Sequence, residues 1–189
     1  MSGPDVAVTL ASCATDVVEL AAFRERASDL AALAARRDIA LAGPAASAAR
    51  PGRLSLSVRP GRWLLLMPPA TPGASAAFCR ELCEGSGGVV DLSSALVGFL
   101  LAGPAVPEML ARACRLDLGT HAFPEGRAAA TIMVQVPAIL AQLTGGMLLL
   151  TPATTARHLH EWLVETSQPF GLALAPDAAV SALCGETST

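Results

Sequence analysis

Cys79 and Cys83 come nearest to chemistry by type and spacing. They stand four apart on an expected helix, their sulfurs share one face, and a thiolate pair of that kind is half of a zinc site. No second Cys or His pair with ligand spacing lies nearby, so the two read as packing on an Ala-rich helix. His158 and His160 are two apart on an expected helix and project in different directions, a poor geometry for shared ligation. His121 falls in a loop beside Phe123-Pro124, placed to bond backbone or touch a partner. Asp91 and Asp117 sit at element ends, where an isolated Asp caps or turns the chain.

Larger catalytic signatures are missing. There is no Gly-x-Ser-x-Gly elbow for a nucleophile, and no Gly-x-Gly-x-x-Gly between a strand and a helix. Gly85-Ser86-Gly87-Gly88 follows a helix and reads as its stop. Tyrosine is absent and aromatics make up 4% of the chain, which disfavours a stacking platform for bases or a flavin ring. Trp63 and Trp162 are read as related core residues of two halves. No residue is therefore assigned a catalytic, cofactor-binding or metal-binding role.

The elements that would position these residues follow from periodicity. A strand is expected at Val17 to Phe23 and a helix at Ala27 to Arg36, with Leu30, Leu33 and Ala34 on its buried stripe. Gly43 to Gly52 reads as an exposed loop. Leu54 to Val58 alternates as a half-buried strand, Pro60-Gly61 turns, and Trp63 to Met67 returns. A helix over Thr71 to Glu84 carries Phe78 and Leu82, and a strand over Val89 to Leu92 follows. The order then repeats. A strand near Ala95 to Leu101 leads through Gly103-Pro104, with Pro104 in the first helical turn, into a helix with Val106, Met109, Leu110 and Ala113 inside. Strands come near Ala129 to Val136, Ile139 to Leu143 and Met147 to Leu150. A helix over Ala153 to Ser167 buries Leu159, Trp162 and Leu163, and a closing strand lies near Phe170 to Leu174.

Leu96-Val97-Gly98-Phe99 aligns in phase with Leu20-Ala21-Ala22-Phe23, and the Pro-Ala-Thr breaks at 69–71 and 152–154 recur. The predicted fold is α+β, two tandem ferredoxin-like βαββαβ halves at 15–94 and 95–175, with a loosely held segment at 1–14 and a tail at 176–189.

Composition sets the wider bounds. With 52% hydrophobic and 15% charged residues in 189, the chain is richer in apolar side chains than an average soluble domain, as a subunit burying surface against another protein is. A net charge of -3 with scattered basic residues argues against nucleic acid. No apolar run approaches the ~18 residues needed to span a bilayer and no secretory signal is evident, so a cytoplasmic location is expected. Five widely spaced cysteines fit reduced thiols better than a disulfide framework.

At Asp91-Leu92-Ser93, Gly103-Pro104-Ala105, Leu110, Cys114-Arg115-Leu116-Asp117-Leu118, Phe123-Pro124-x-Gly126, Thr131 and Leu159-x-x-Trp162-Leu163, the chain resembles the gamma subunit of heterotetrameric sarcosine oxidase. Pro60-Gly61-Arg62-Trp63-Leu64-Leu65 is similar to that family's Pro-x-x-Trp-Leu-Leu strand. Thr151-Pro152-Ala153-Thr154 departs from it, standing where the family has Arg-Ser-Phe-Ala. The resemblance implies a fold like the folate-binding domain of the glycine-cleavage aminomethyltransferase. It also implies a small non-catalytic subunit whose partners are alpha, beta and delta subunits, principally the large alpha. Those partners would hold FAD, FMN, NAD, tetrahydrofolate and zinc, and the complex would demethylate sarcosine oxidatively. The rival reading is a free-standing folate-binding protein or aminomethyltransferase-like enzyme. Against it, the Lys-Gly-Cys-Tyr-x-Gly-Gln motif of one folate-binding branch is absent.

Overall fold

Leu- and Val-rich segments that alternate between two apolar surroundings form strands buried on both faces. In a computed structural model describing residues 6–83 and 85–179, the order is β1 (Val8–Ala14), β2 (Asp16–Ala22), α1 (Ala27–Ala35), β3 (Ala46–Arg50), β4 (Arg53–Arg59), β5 (Arg62–Met67), α2 (Ala74–Cys83) and β6 (Gly87–Asp91). There follow β7 (Leu96–Ala102), α3 (Val106–Leu110), β8 (Ala128–Met133), β9 (Val136–Leu143), β10 (Gly146–Pro152), α4 (Ala153–Ser167), a short 3-10 turn (Gln168–Phe170), β11 (Leu172–Leu174) and β12 (Ala178–Ala179).

Two sheets result. One runs β3-β4-β5-β2-β6; the other runs β11-β1-β7-β10-β9-β8, with β12 also on β1. Strand β5 shows how one sequence serves two cores. Trp63, Leu65 and Met67 join Leu30, Ala34 and Leu82 of α1 and α2, while Leu64 and Leu66 join Leu148 and Leu150 of the other sheet. Helices α3 and α4 cover the far face of the second sheet through Met109, Leu110, Leu159 and Leu163. The layers are thus helix, sheet, sheet, helix, and each fully buried leucine contributes roughly 1.5–3 kcal/mol relative to exposure. One pair of edges is stitched together: Ser47 N–H donates to Gly126 O at 2.8 Å and Ala128 N–H to Ala45 O at 3.0 Å. The other edges are β6 and β11.

The α+β class and the repeated order are as the sequence indicates, but three strands lie between the helices of each half. The reason in the first half is Ala46–Arg50, which pairs with β4 from Ala46↔Ser57 to Arg50↔Arg53. Its Ala and Ser side chains carry little strand signal, so the segment reads as loop although its backbone is paired. A second correction concerns the start of the chain. Val8–Ala14 is a strand, not a loose segment, and it lies between β11 and β7. It occupies beside β7 the place that β6 occupies beside β2, so the last strand of the second half is displaced outward onto β1. The expected tail at 176–189 is likewise paired in its described part, where Ala178–Ala179 lies on β1; residues 1–5, the tail from 180 and Glu84 at the end of the expected second helix lie outside the described residues.

Smaller differences have local causes. Strand β4 is buried on both faces: the Ser55 hydroxyl donates to Ala40 O at 2.6 Å and accepts from Ala42 N–H at 2.9 Å, which removes the need for water at a buried polar group. Strands β2 and β7 correspond from Asp16 and Leu96, four residues from the Leu20/Leu96 alignment, and the phase survived because an even shift preserves the face. The break expected near Val136 lies at Val134-Gln135, whose φ values of 46° and 66° make a two-residue hairpin turn. Pro104 precedes α3, which begins at Val106 with Pro107 in its first turn.

Candidate functional site

The residues singled out for chemistry are scattered. Cys79 and Cys83 both face the sheet from α2 and are buried. Desolvation, then the neighbouring Cys83, pushes the Cys79 thiol from 9.0 up to about 12, and burial raises Cys83 as well. Such thiols are packed and protonated, the opposite of a reactive thiolate. His158 is exposed, His160 lies against Phe99 with ring centroids 5.6 Å apart, and His121 is exposed in its loop. Among the described residues no three His, Cys, Asp or Glu side chains cluster as a metal would need.

Asp91 accepts from Ser93 N–H at 3.0 Å, and that bond holds its carboxyl below the usual range; Asp117 accepts from Gly119 N–H at 2.9 Å. Each carboxylate closes a turn two residues on. The two tryptophans are not equivalent. Trp63, on β5, is buried with its indole N–H donating to Ala42 O at 2.8 Å, whereas Trp162 is half-buried on α4.

The thiols give a pH prediction with an unusually clean background. All 13 basic residues are arginine and there is no tyrosine, so no lysine or tyrosine titration overlies the range between pH 9 and 12. The folded pKa of Cys79 is raised, so its contribution is complete below the unfolded value of 9.0 and is lost as pH rises toward about 12. Denaturant unfolding should therefore show stability falling through this window by on the order of 4 kcal/mol in all. Cys79→Ala should flatten the slope; an unchanged slope in that variant would contradict the assignment.

The feature that sequence reading missed lies where the two sheets part. A cleft of about 190 Å³ is floored by Leu64, Leu92, Leu96 and Ile139 and rimmed by Glu19, Arg59 and Arg62. Arg62 is ion-paired with Glu19, while no ion pair among the described residues includes Arg59. The hairpin explains the placement, since Arg59 and Arg62 stand directly opposite across Pro60-Gly61. That signal was legible: a two-residue turn sets its flanking residues on one face. The cleft thus joins an apolar floor to a rim of two guanidinium groups and one carboxylate, Glu19, which Arg62 engages.

Duplicated strand-helix order around two sheets packed face to face places this chain in the folate-binding fold class of the aminomethyltransferases. The glycine cleavage system aminomethyltransferase T from Bartonella henselae matches with a TM-score of 0.66 over 94% of this chain and 49% of that one; at 16% identity the likeness is one of fold. Within that class the chain is a homologue of the sarcosine oxidase gamma subunits. It is 32% identical over 130 residues to sarcosine oxidase subunit gamma from Arthrobacter sp, covering 68% of this chain and 63% of that protein. It is 30% identical over 121 residues to the subunit from Corynebacterium sp. (strain P-1), covering 63% and 59%. The chain thus spans about three fifths of the curated relatives it matches. A chain of the heterotetrameric sarcosine oxidase from Corynebacterium sp. U-96 superimposes with a TM-score of 0.76 at 25% identity, covering 92% of this chain and 89% of that one. No protein-family profile matches the chain. Among the described residues no helix is long and apolar enough to cross a membrane.

Proposed function

We propose that this chain is the gamma subunit, structural and non-catalytic, of a heterotetrameric sarcosine-oxidase-like flavoenzyme. The observation that carries the reading is the match in sequence and along nearly the whole fold to a subunit of such an oxidase. The complex oxidatively demethylates sarcosine or a related N-methyl amino acid. Its products are glycine or the demethylated amine, hydrogen peroxide, and methylene-tetrahydrofolate or formaldehyde. Partner subunits alpha, beta and delta carry FAD, FMN, NAD, tetrahydrofolate and zinc, with alpha the principal contact and the cytoplasm the setting.

The test is to purify the tagged chain from its native cells and read the eluate by mass spectrometry and visible absorption. Three stoichiometric partners and a flavin spectrum are expected. A colourless monomer that binds tetrahydrofolate would overturn the reading in favour of a free-standing folate protein.

A further inference from the structure

The edge of β6 and the cleft beside it form one surface. Strand β6 ends its sheet, so alternate N–H and C=O groups of Gly87–Asp91 point away from β2 with no strand among the described residues to meet them. The strand carries no Pro, Lys or Arg, its one charge is Asp91 at the end, and it opens with two glycines, which let another backbone approach. Val90 is 51% exposed, and Phe23, whose ring lies near Gly88, is 53% exposed. Val90 pairs with Glu19 across β2, so its side chain lies on the same face as the cleft.

The cleft supplies the charge. Two guanidinium groups, Arg59 and Arg62, face one carboxylate, Glu19, which leaves a local positive excess on a chain whose net charge is -3. Unmet backbone groups select an extended strand, exposed Phe23 and Val90 select apolar side chains, and Arg59 selects a carboxylate.

Resting on the oxidase-subunit reading, we propose that this surface receives an extended segment of a partner subunit. The segment lies along β6 as a further strand, with apolar side chains toward Phe23 and Val90 and an Asp or Glu toward Arg59. Strand addition supplies affinity through the main chain, and the cleft sets which segment fits.

The assembled complex tests this. Tagged wild-type chain, the double variant Arg59→Glu/Val90→Glu and the control Arg157→Glu on α4 are each expressed in the native host and recovered with their partners. Partner recovery by the double variant should fall at least tenfold, with its circular dichroism and thermal midpoint close to wild type, and the control should recover partners normally. Undiminished recovery by the double variant overturns the proposal. So does a wild-type chain that dimerises alone through these residues, since the occupant is then a second copy. Hydrogen exchange on unsubstituted protein guards against misfolding of the variant: amides of 87–91 should exchange at least tenfold more slowly in the complex than in the isolated chain, and equal rates count against the surface. If wild type brings down no partner at all, the oxidase-subunit reading fails first and this surface falls with it.

Discussion

Truncation to Thr15 should abolish the second sheet while leaving the first recognisable. Strand β1 lies between β11 and β7, paired with β7 from Thr9↔Ala102 to Cys13↔Gly98 and with β11 from Val8↔Leu172 to Leu10↔Leu174. Its Val8 and Leu10 are buried in the core formed with α3 and α4. Removing those two side chains alone forfeits roughly 3–6 kcal/mol, and their partners Phe99, Leu101 and Leu149 would then face water. Against a typical total of about 5–15 kcal/mol, such a loss is not survivable for that half. Hydrogen exchange should show β7 and β11 unprotected, with residual protection confined to β2, β4 and β5. A peptide spanning residues 6–15, added in trans, should restore part of the signal. Native protection of β7 in the truncated chain would mean that β1 merely decorates the sheet.

Gly146→Ala is the point substitution with the largest expected cost. Gly146 has φ of 137°, which L-residues rarely adopt, and a Cβ there would sit 2.3 Å from the carbonyl oxygen of Leu101 on the neighbouring strand. Backbone, unlike a side-chain tip, cannot swing aside, so the β7-β10 ladder must open at that point. Gly103, with φ of 121°, meets the Ala7 carbonyl at the same 2.3 Å, where the chain before β1 passes the end of β7. About 3–5 kcal/mol is expected at each position, from strain and clash together. Gly43→Ala, where φ is ordinary and nothing lies within 4 Å, should change the unfolding midpoint little. Comparable losses at all three positions would show that the two close approaches are not what sets the cost.

Most of the helices and inner strands were legible because their apolar residues keep a period. Leu30 and Ala34 four apart on α1, and Leu64 to Met67 on β5, sort onto definite faces whatever their partners. Three strands escaped, among them the two-residue β12, which pairs with β1 from within the expected tail. Ala46–Arg50 lacks large apolar side chains, and Val8–Ala14 belongs to a sheet whose other members begin at Leu96, so its pairing is a long-range fact that no local window contains. The serines of β4 misled in the opposite sense: alternation marked Ser55 as solvent-facing, yet its hydroxyl is consumed by Ala40 and Ala42. The cleft had a readable half, the Arg59-Pro60-Gly61-Arg62 turn. Its floor did not, because Leu92, Leu96 and Ile139 arrive from three separate elements or connections.

The placing of β1 has a bearing on how the protein is made. Strand β1 leaves the ribosome well before its neighbour β7, which is complete only once residue 102 has been added, some ninety residues later. At translation rates of about 5–20 residues per second, that is a wait of roughly 5–20 s. Strands β2 to β6 and their two helices are complete before then and can assemble with β1 hanging free from Asp16. The leading strand is Val-Thr-Leu-Ala-Ser-Cys-Ala, with hydroxyls interrupting its aliphatic side chains, a composition suited to waiting in water without seeking the wrong sheet. Nascent protein would then close in reverse: β11 and β12, made late, dock on β1, made early.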